Sequence, residues 1–139
     1  METLGTGSRD TIQRLTMTPV YFWLKDYKKN MADMKVLEVG GGTGRFMTFF
    51  RDNYPEMDAT LLDLNPFFLQ EAGKNDRYFR KFFSRQDTRA KNDKIEPTEL
   101  KLVQGKAEGM TEFEDETFDV LNCINLFTCM PDYERRHAA

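Results

Sequence analysis

From Lys35 the chain reads Lys-Val-Leu-Glu-Val, three β-preferring apolar positions interrupted by one acid, Glu38. A short strand buried in a parallel sheet has this pattern. Gly40, Gly41, Gly42 and Gly44 come next, and Arg45-Phe46-Met47-Thr48-Phe49-Phe50 opens a helix that Tyr54-Pro55 ends. The run at 58–64 predicts a second strand, and Asn65-Pro66 starts another helix. Across 67–83 of that helix, Phe68, Ala72, Phe79 and Phe83 recur at spacings of 4, 7 and 4 and so share one face. A long polar connection over 84–98 leads to a third strand at 99–105, and the apolar run 118–127 predicts a fourth. Pro131-Asp132-Tyr133-Glu134 opens one more helix. Upstream, Thr18-Pro19 has the form of an N-cap and first helical residue, and Val20-Tyr21-Phe22-Trp23-Leu24 offers an apolar cluster to pack on the sheet. Residues 1–17 read as a flexible arm and 18–139 as a single α/β domain.

Bulk properties narrow the class. The chain has 139 residues, enough for one domain, with 40% apolar and 31% charged residues, a globular composition. A net charge of −3 argues against a nucleic-acid partner. No apolar run approaches the ~20 residues of a membrane span, and the first twenty residues contain no apolar signal core. Glu2 and Asp10 count against an organellar address, so a cytoplasmic location is expected, with the plastid as the alternative. Cys123 and Cys129 are too few for a disulfide framework, and with one histidine no metal site has recognisable spacing. Charge is uneven: residues 74–94 carry eight basic and three acidic side chains, leaving −8 on the remainder. Such a stretch is most simply a solvated helix face.

The chemistry concentrates at the glycines. A turn without Cβ atoms adopts otherwise forbidden angles and lets a ligand lie on bare backbone, while the helix behind it aims free N–H groups at the same place. The dinucleotide pattern G-x-G-x-x-G, counted from Gly40, requires a third glycine where this chain has Arg45. The pattern present is Glu38-x-Gly40-x-Gly42-x-Gly44. Asp63 closes the second strand 19 residues after Gly44, where a carboxylate accepts hydrogen bonds from ribose hydroxyls.

These residues resemble motif I of the class I S-adenosylmethionine (SAM) dependent methyltransferases, and Asp63-Leu64-Asn65-Pro66 resembles motif II. The resemblance implies that Gly40, Gly41, Gly42 and Gly44 pass under the methionine and ribose parts of SAM. It also implies that Glu38 helps hold the loop and the cofactor's cationic end, and that Leu64 lies against the adenine. The order of strand, Gly105-Lys106-Ala107-Glu108, acidic turn and Phe118-Asp119-Val120 continues the likeness. There the Ala107 N–H would reach an adenine ring nitrogen. Many relatives place Asp where Lys106 stands; lysine cannot accept from the adenine amino group, so Glu108 or a backbone carbonyl is expected to do so. The fourth strand resembles motif IV, which puts Cys123 and Asn125 at the methionine end. Cys123 has two readings, a reactive thiol or a small residue ending a buried strand. The helix before the first strand would cover the cofactor with Tyr21 or Trp23.

Wording such as Asp-Asn-Tyr-Pro-Glu-Met and Phe-Glu-Asp-Glu-Thr-Phe-Asp-Val looks like a plant and algal, small-molecule (type 11-like) branch. The family fold is a Rossmann-like three-layer sandwich with strand order 3-2-1-4-5-7-6, of which these residues supply 3-2-1-4. The resemblance thus implies a C-terminally truncated methyltransferase domain lacking strands 5–7, which would leave 118–127 as an apolar edge open to self-association. The expected function is methyl transfer from SAM to a small-molecule acceptor, with no catalytic base assigned; Asp132 and Tyr133 are candidates by location alone. The alternatives are a non-catalytic SAM-binding or regulatory module or inactive fragment and, against the Arg45 and Glu38 pattern, a nicotinamide-dependent oxidoreductase.

Overall fold

The structure, a computed structural model, describes residues 33–124. The elements are β1 (Lys35–Val39), α1 (Arg45–Asn53), β2 (Asp58–Asp63), α2 (Pro66–Gln86), α3 (Thr88–Asn92), β3 (Lys101–Gln104) and β4 (Val120–Asn122). The four strands are parallel and ordered β3-β2-β1-β4, the Rossmann-like arrangement the motifs imply. The predicted arm at 1–17, the helix opened by Thr18-Pro19, the residues beyond 124 and the helix opened by Pro131 lie outside the described residues.

β1 is the central strand, which explains its composition. It pairs with β2 from Lys35↔Asp58 to Val39↔Leu62 and with β4 from Val36↔Val120 to Glu38↔Asn122. Flanked on both sides and covered on both faces, Val36 to Val39 are all buried. Alternation sends Val36 and Glu38 to one face and Leu37 and Val39 to the other. The Leu37 face, with Leu62, is covered by Ala107, Met110, Phe113, Phe118 and Cys123 from the connection before and just after β4. Phe113 and Phe118 meet there edge to face at 5.0 Å. The Glu38 face, joined by Leu61 of β2 in register, takes the helices. There Leu61, Ala72 of α2 and Leu100 converge on the backbone of Gly44.

The helices follow from local chemistry. Asn65 caps α2 by accepting from Phe67 N–H (3.0 Å), with Pro66 in the first turn. Leu69, Ala72, Asp76, Phe79 and Phe83 are its buried positions. The expected face thus forms, except that Phe68 is exposed and Asp76 replaces it in the interior. Asp76 is buried because Arg51 of α1 and Arg80 both donate to its carboxylate. Arg51, only 1% exposed, also donates to the Thr98 carbonyl and stacks over Phe79 at 4.9 Å. This ion pair joins α1, α2 and the entry to β3.

Three boundaries differ from the sequence expectation. The connection 84–98 contains α3, capped by Asp87, whose side chain accepts from Arg89 N–H at 2.8 Å. Arg89 then reaches back to the Asp52 and Asn53 carbonyls (2.7 and 3.3 Å), satisfying the free carbonyls at the end of α1. Polarity concealed a helix that pays its way through these long-range contacts. The third strand shortens to Lys101–Gln104. Among the described residues the fourth pairs over Val120–Asn122, with Leu121 53% exposed, and its predicted continuation at 125–127 lies outside them.

Removing one partner of a buried pair leaves the other desolvated. Arg51→Ala should therefore lower unfolding stability by about 3–5 kcal/mol in urea denaturation. The double change Arg51→Met, Asp76→Leu should recover most of it, and a single-mutant loss below about 1 kcal/mol would contradict this account.

Candidate functional site

The glycine turn leaves the carboxyl end of β1 and is fastened to β2. Gly40 N–H and Gly41 N–H both donate to the Leu62 carbonyl (2.7 and 3.3 Å), and Gly42 N–H donates to Asp63 Oδ2 (2.9 Å). Gly42 and Gly44 sit at φ +56° and +80°, left-handed values that other residues adopt only with strain. The two sides of the turn differ. A Cβ on Gly41 would stand 2.6 Å from Leu61 Cγ and 3.1 Å from Glu38 Cδ, whereas one on Gly42 would meet nothing within 4 Å among the described residues. Gly41 lets the turn rest on the core; Gly42 presents bare backbone to open space. Gly44 then serves as the N-cap of α1 without any side-chain cap of its own.

Glu38 fills that role from below. Its side chain is buried (2% exposed) under the turn and accepts a hydrogen bond from the Met47 backbone N–H in the first turn of α1. Its second oxygen, Oε2, is buried with no hydrogen-bond partner among the described residues. Burial, opposed by the Met47 bond and reinforced by the nearby Asp63 charge, pushes the Glu38 carboxyl up to about 8.

Asp63 does more than the sequence indicated. Besides holding Gly42 N–H, its Oδ1 accepts from Asn65 N–H (2.8 Å), so one carboxylate joins the glycine turn to the start of α2. Each oxygen keeps a further lone pair. Leu64, next along, is 58% exposed, a large apolar side chain at the strand end. Glu38, Gly40, Gly41, Gly42, Gly44, Asp63 and Leu64 are therefore gathered at the carboxyl ends of β1 and β2. The order β2-β1-β4 makes the end of β1 the switch point where open α/β sheets take ligands.

The residues proposed from farther along the chain stand differently. Gly105 N–H donates to the Asp63 carbonyl (3.2 Å), bringing the 105–108 segment beside the strand ends. The side chain of Ala107 packs on the Leu37–Val39–Leu62 cluster, Glu108 is half-buried and Lys106 exposed. Cys123 is half-buried on the same cluster, and burial together with the Glu38 charge pushes its thiol up. Of its two readings the structure favours the packing one, since a reactive thiol needs a lowered pKa. Two contacts had no sequence signal. Asn75 of α2 donates to the Thr43 carbonyl (3.1 Å), clamping the turn from above, and the Glu112 side chain lies close over the backbone of Gly105. A separate surface hollow lined by Asp58, Thr98–Leu102 lies at the amino ends of β2 and β3, where Lys101 closes on Asp58 at 2.8 Å. Among the described residues no cluster of acids, histidine or cysteine could hold a metal, and no helix is long and apolar enough to cross a membrane.

Residues 37–138 match the family model described as a methyltransferase domain. The chain belongs to that family. Comparison with curated proteins gives no match. Among solved structures, a protein from Pyrococcus horikoshii OT3 aligns over 99% of this chain and 51% of its own, at 20% identity and a TM-score of 0.61. Magnesium protoporphyrin IX methyltransferase from Synechocystis PCC 6803, solved with bound SAM, aligns over 99% of this chain and 57% of its own, at 12% identity and TM-score 0.64. PKMT2 from Rickettsia typhi, in complex with AdoHcy, aligns over 76% and 17%, at 18% identity and TM-score 0.53. At these identities the likeness is one of fold, and the chain spans little more than half the length of these proteins at most.

A carboxyl held near 8 in the folded state and at its ordinary 4.5 in the unfolded chain binds more protons when folded. Raising the pH from 4.5 through 8 therefore favours unfolding at this site. Glu38→Gln keeps the acceptor for Met47 but removes the titration. Melting curves of the two proteins should nearly coincide at about pH 4 and below, with the variant gaining up to about 1.4 kcal/mol per pH unit as the pH rises towards 8. A difference that does not change with pH would sink the assignment.

Proposed function

We propose that the chain carries the SAM-binding portion of a methyltransferase acting on a small-molecule acceptor. The observation that carries this reading is the two-sided glycine turn: packed against Leu61 at Gly41, open at Gly42, with a buried Glu38 beneath it whose Oε2 has no partner. That donor set suits a ligand with a sugar, an apolar ring and a cationic end. Gly42 offers backbone to the ligand's flank. Asp63, already fixed by two backbone N–H groups, is pre-oriented to accept from ribose hydroxyls with its remaining lone pairs. Leu64 supplies an exposed apolar surface for the adenine ring, and the backbone of the 105–108 segment, beside Asp63, is placed to meet the ring edge.

When bound, SAM supplies a methyl group already activated by the sulfonium, so these residues contribute position rather than acid–base work. A base for the acceptor is not among the residues assigned. The nicotinamide reading is disfavoured by Arg45, which occupies an exposed position in the first turn of α1 where a dinucleotide fold needs glycine for close packing. The wording Asp-Asn-Tyr-Pro-Glu-Met supports a plant and algal small-molecule branch, and Glu2 and Asp10 support a cytoplasmic setting, with the plastid as the alternative.

Titration calorimetry with S-adenosylhomocysteine tests the reading. The folded chain should bind saturably and show no comparable heat with NAD. Because Leu64 is exposed, Leu64→Ala should leave the melting temperature unchanged and weaken S-adenosylhomocysteine about 5- to 30-fold, the loss expected for one buried leucine contact. Asp63→Ala should abolish binding and also lower stability, since it releases Gly42 and Asn65 together. A folded wild-type chain that binds no S-adenosylhomocysteine would overturn the assignment.

A further inference from the structure

α2 lays one face on the sheet and leaves the opposite one open to solvent. Its buried positions, Leu69, Ala72, Asp76, Phe79 and Phe83, fix which way it faces. With 3.6 residues per turn, the line opposite them runs through 67, 71, 74, 78, 81–82 and 85. An outward line of this kind is ordinarily polar. Here it carries three large aromatics: Phe67 is 61% exposed, Tyr78 73% and Phe82 56%. Tyr78 and Phe82 stand one turn apart with their rings stacked, 6.4 Å between centroids. Lys74, Lys81 and Arg85 share the line and are all exposed. From Phe67 to Arg85 the stripe extends about 27 Å.

Its charge is nearly all of one sign. Glu71, the acid on the line, is paired with Lys74 at 2.7 Å. Asp76, the other acid of α2, is buried on the sheet side and held by Arg51 and Arg80. Lys81 and Arg85 have no carboxylate partner among the described residues. Residues 74–94 carry a net +5 and the remainder −8, so the chain is polarised with this helix at its positive end.

A solvated helix face accounts for the cations but not for the aromatics, which lose free energy in water. A helix that binds a protein groove shows apolar anchors at i, i+3, i+4 and i+7. In α2 the ion pair of Glu71 and Lys74 occupies the line between Phe67 and Tyr78, so that run is broken. Rings interleaved with Lys and Arg on one convex face suit the headgroup layer of a bilayer instead. The rings enter the acyl boundary, the tyrosine hydroxyl stays wet, and the long cationic side chains reach lipid phosphates.

We propose that the outward face of α2 docks flat on an anionic lipid surface through Phe67, Tyr78, Phe82, Lys81 and Arg85. The helix lies on the bilayer and does not cross it, and its inner face stays on the sheet. The same surface repels the acidic remainder of the chain, which turns α2 towards the lipid. This inference goes beyond the SAM reading and does not rest on it. Phe67 lies in the first turn of α2, so the docked face begins beside Asp63 and the open side of the glycine turn.

Flotation of the full chain with lipid vesicles tests the proposal and needs no cofactor. Phosphatidylcholine vesicles with about 30% phosphatidylserine should carry the protein upward, and vesicles of phosphatidylcholine alone should not. Raising the salt from about 0.1 to about 0.5 M should release most of it. Lys81→Gln and Arg85→Gln should each weaken partition about 5-fold, and about 30-fold together. Tyr78→Ser with Phe82→Ser should weaken it about tenfold or more. All four side chains are exposed, so melting temperatures should not change. A folded chain that shows no preference for the anionic vesicles overturns the proposal, as does binding that these variants leave intact. A dimer in sedimentation velocity that Tyr78→Ser with Phe82→Ser splits also overturns it, because a second copy would then cover the face.

Discussion

The attachment of the glycine turn to β2 is the constraint from which the rest of the site follows. Two backbone N–H groups share the Leu62 carbonyl and a third is held by Asp63, so the turn cannot lift away from the sheet. With its path fixed, the turn delivers Gly44 to the start of α1 in a left-handed conformation and lays Gly41 on Leu61 with no space for a methyl group. Glycine is demanded here for two separate reasons, backbone angle at Gly42 and Gly44 and close approach at Gly41. Together they leave one face of the turn buried and the other bare.

Asp63 and Glu38 show how two carboxylates a few residues from the same turn acquire different chemistry. Asp63 lies at a strand end, partly exposed, and receives two backbone N–H bonds that fix its carboxyl in place. Glu38 lies inside the central strand with one bond and one orphan oxygen, which suits a neutral acid. The distinction comes from solvation and donor count. It gives the site a fixed acceptor at the strand end and a buried acid beneath the turn.

Support for this arrangement comes from far along the chain. Arg51 and Asp76 tie α1 to α2, Arg89 closes the end of α1, and Asn75 bonds the Thr43 carbonyl within the turn. None touches the open side of Gly42. They hold α1 and α2 at the angle that keeps the turn seated, so a cofactor site made of backbone depends on side chains remote from it.

Much of this was legible in the residues. The glycines require special backbone angles wherever they occur, and a β-run before them and a helix after them leave few ways to arrange the turn. Asp63 was legible because its distance from the glycines reflects one helix and one strand of nearly constant length. What escaped was whatever depends on residues distant in sequence. The polar segment 84–98 hid α3 because its stabilising contacts are to carbonyls about 36 residues away. Asp76 fell within a stretch read as a solvated helix face because it is buried only with Arg51 present. The sequence by itself determined the order of the elements, the glycine turn and the identity of its two acids, since local backbone preference and side-chain period are written residue by residue. Only the tertiary structure decided that Glu38 is sealed from water with one oxygen unpartnered, because solvation belongs to all the elements packed around a group and to none of them alone.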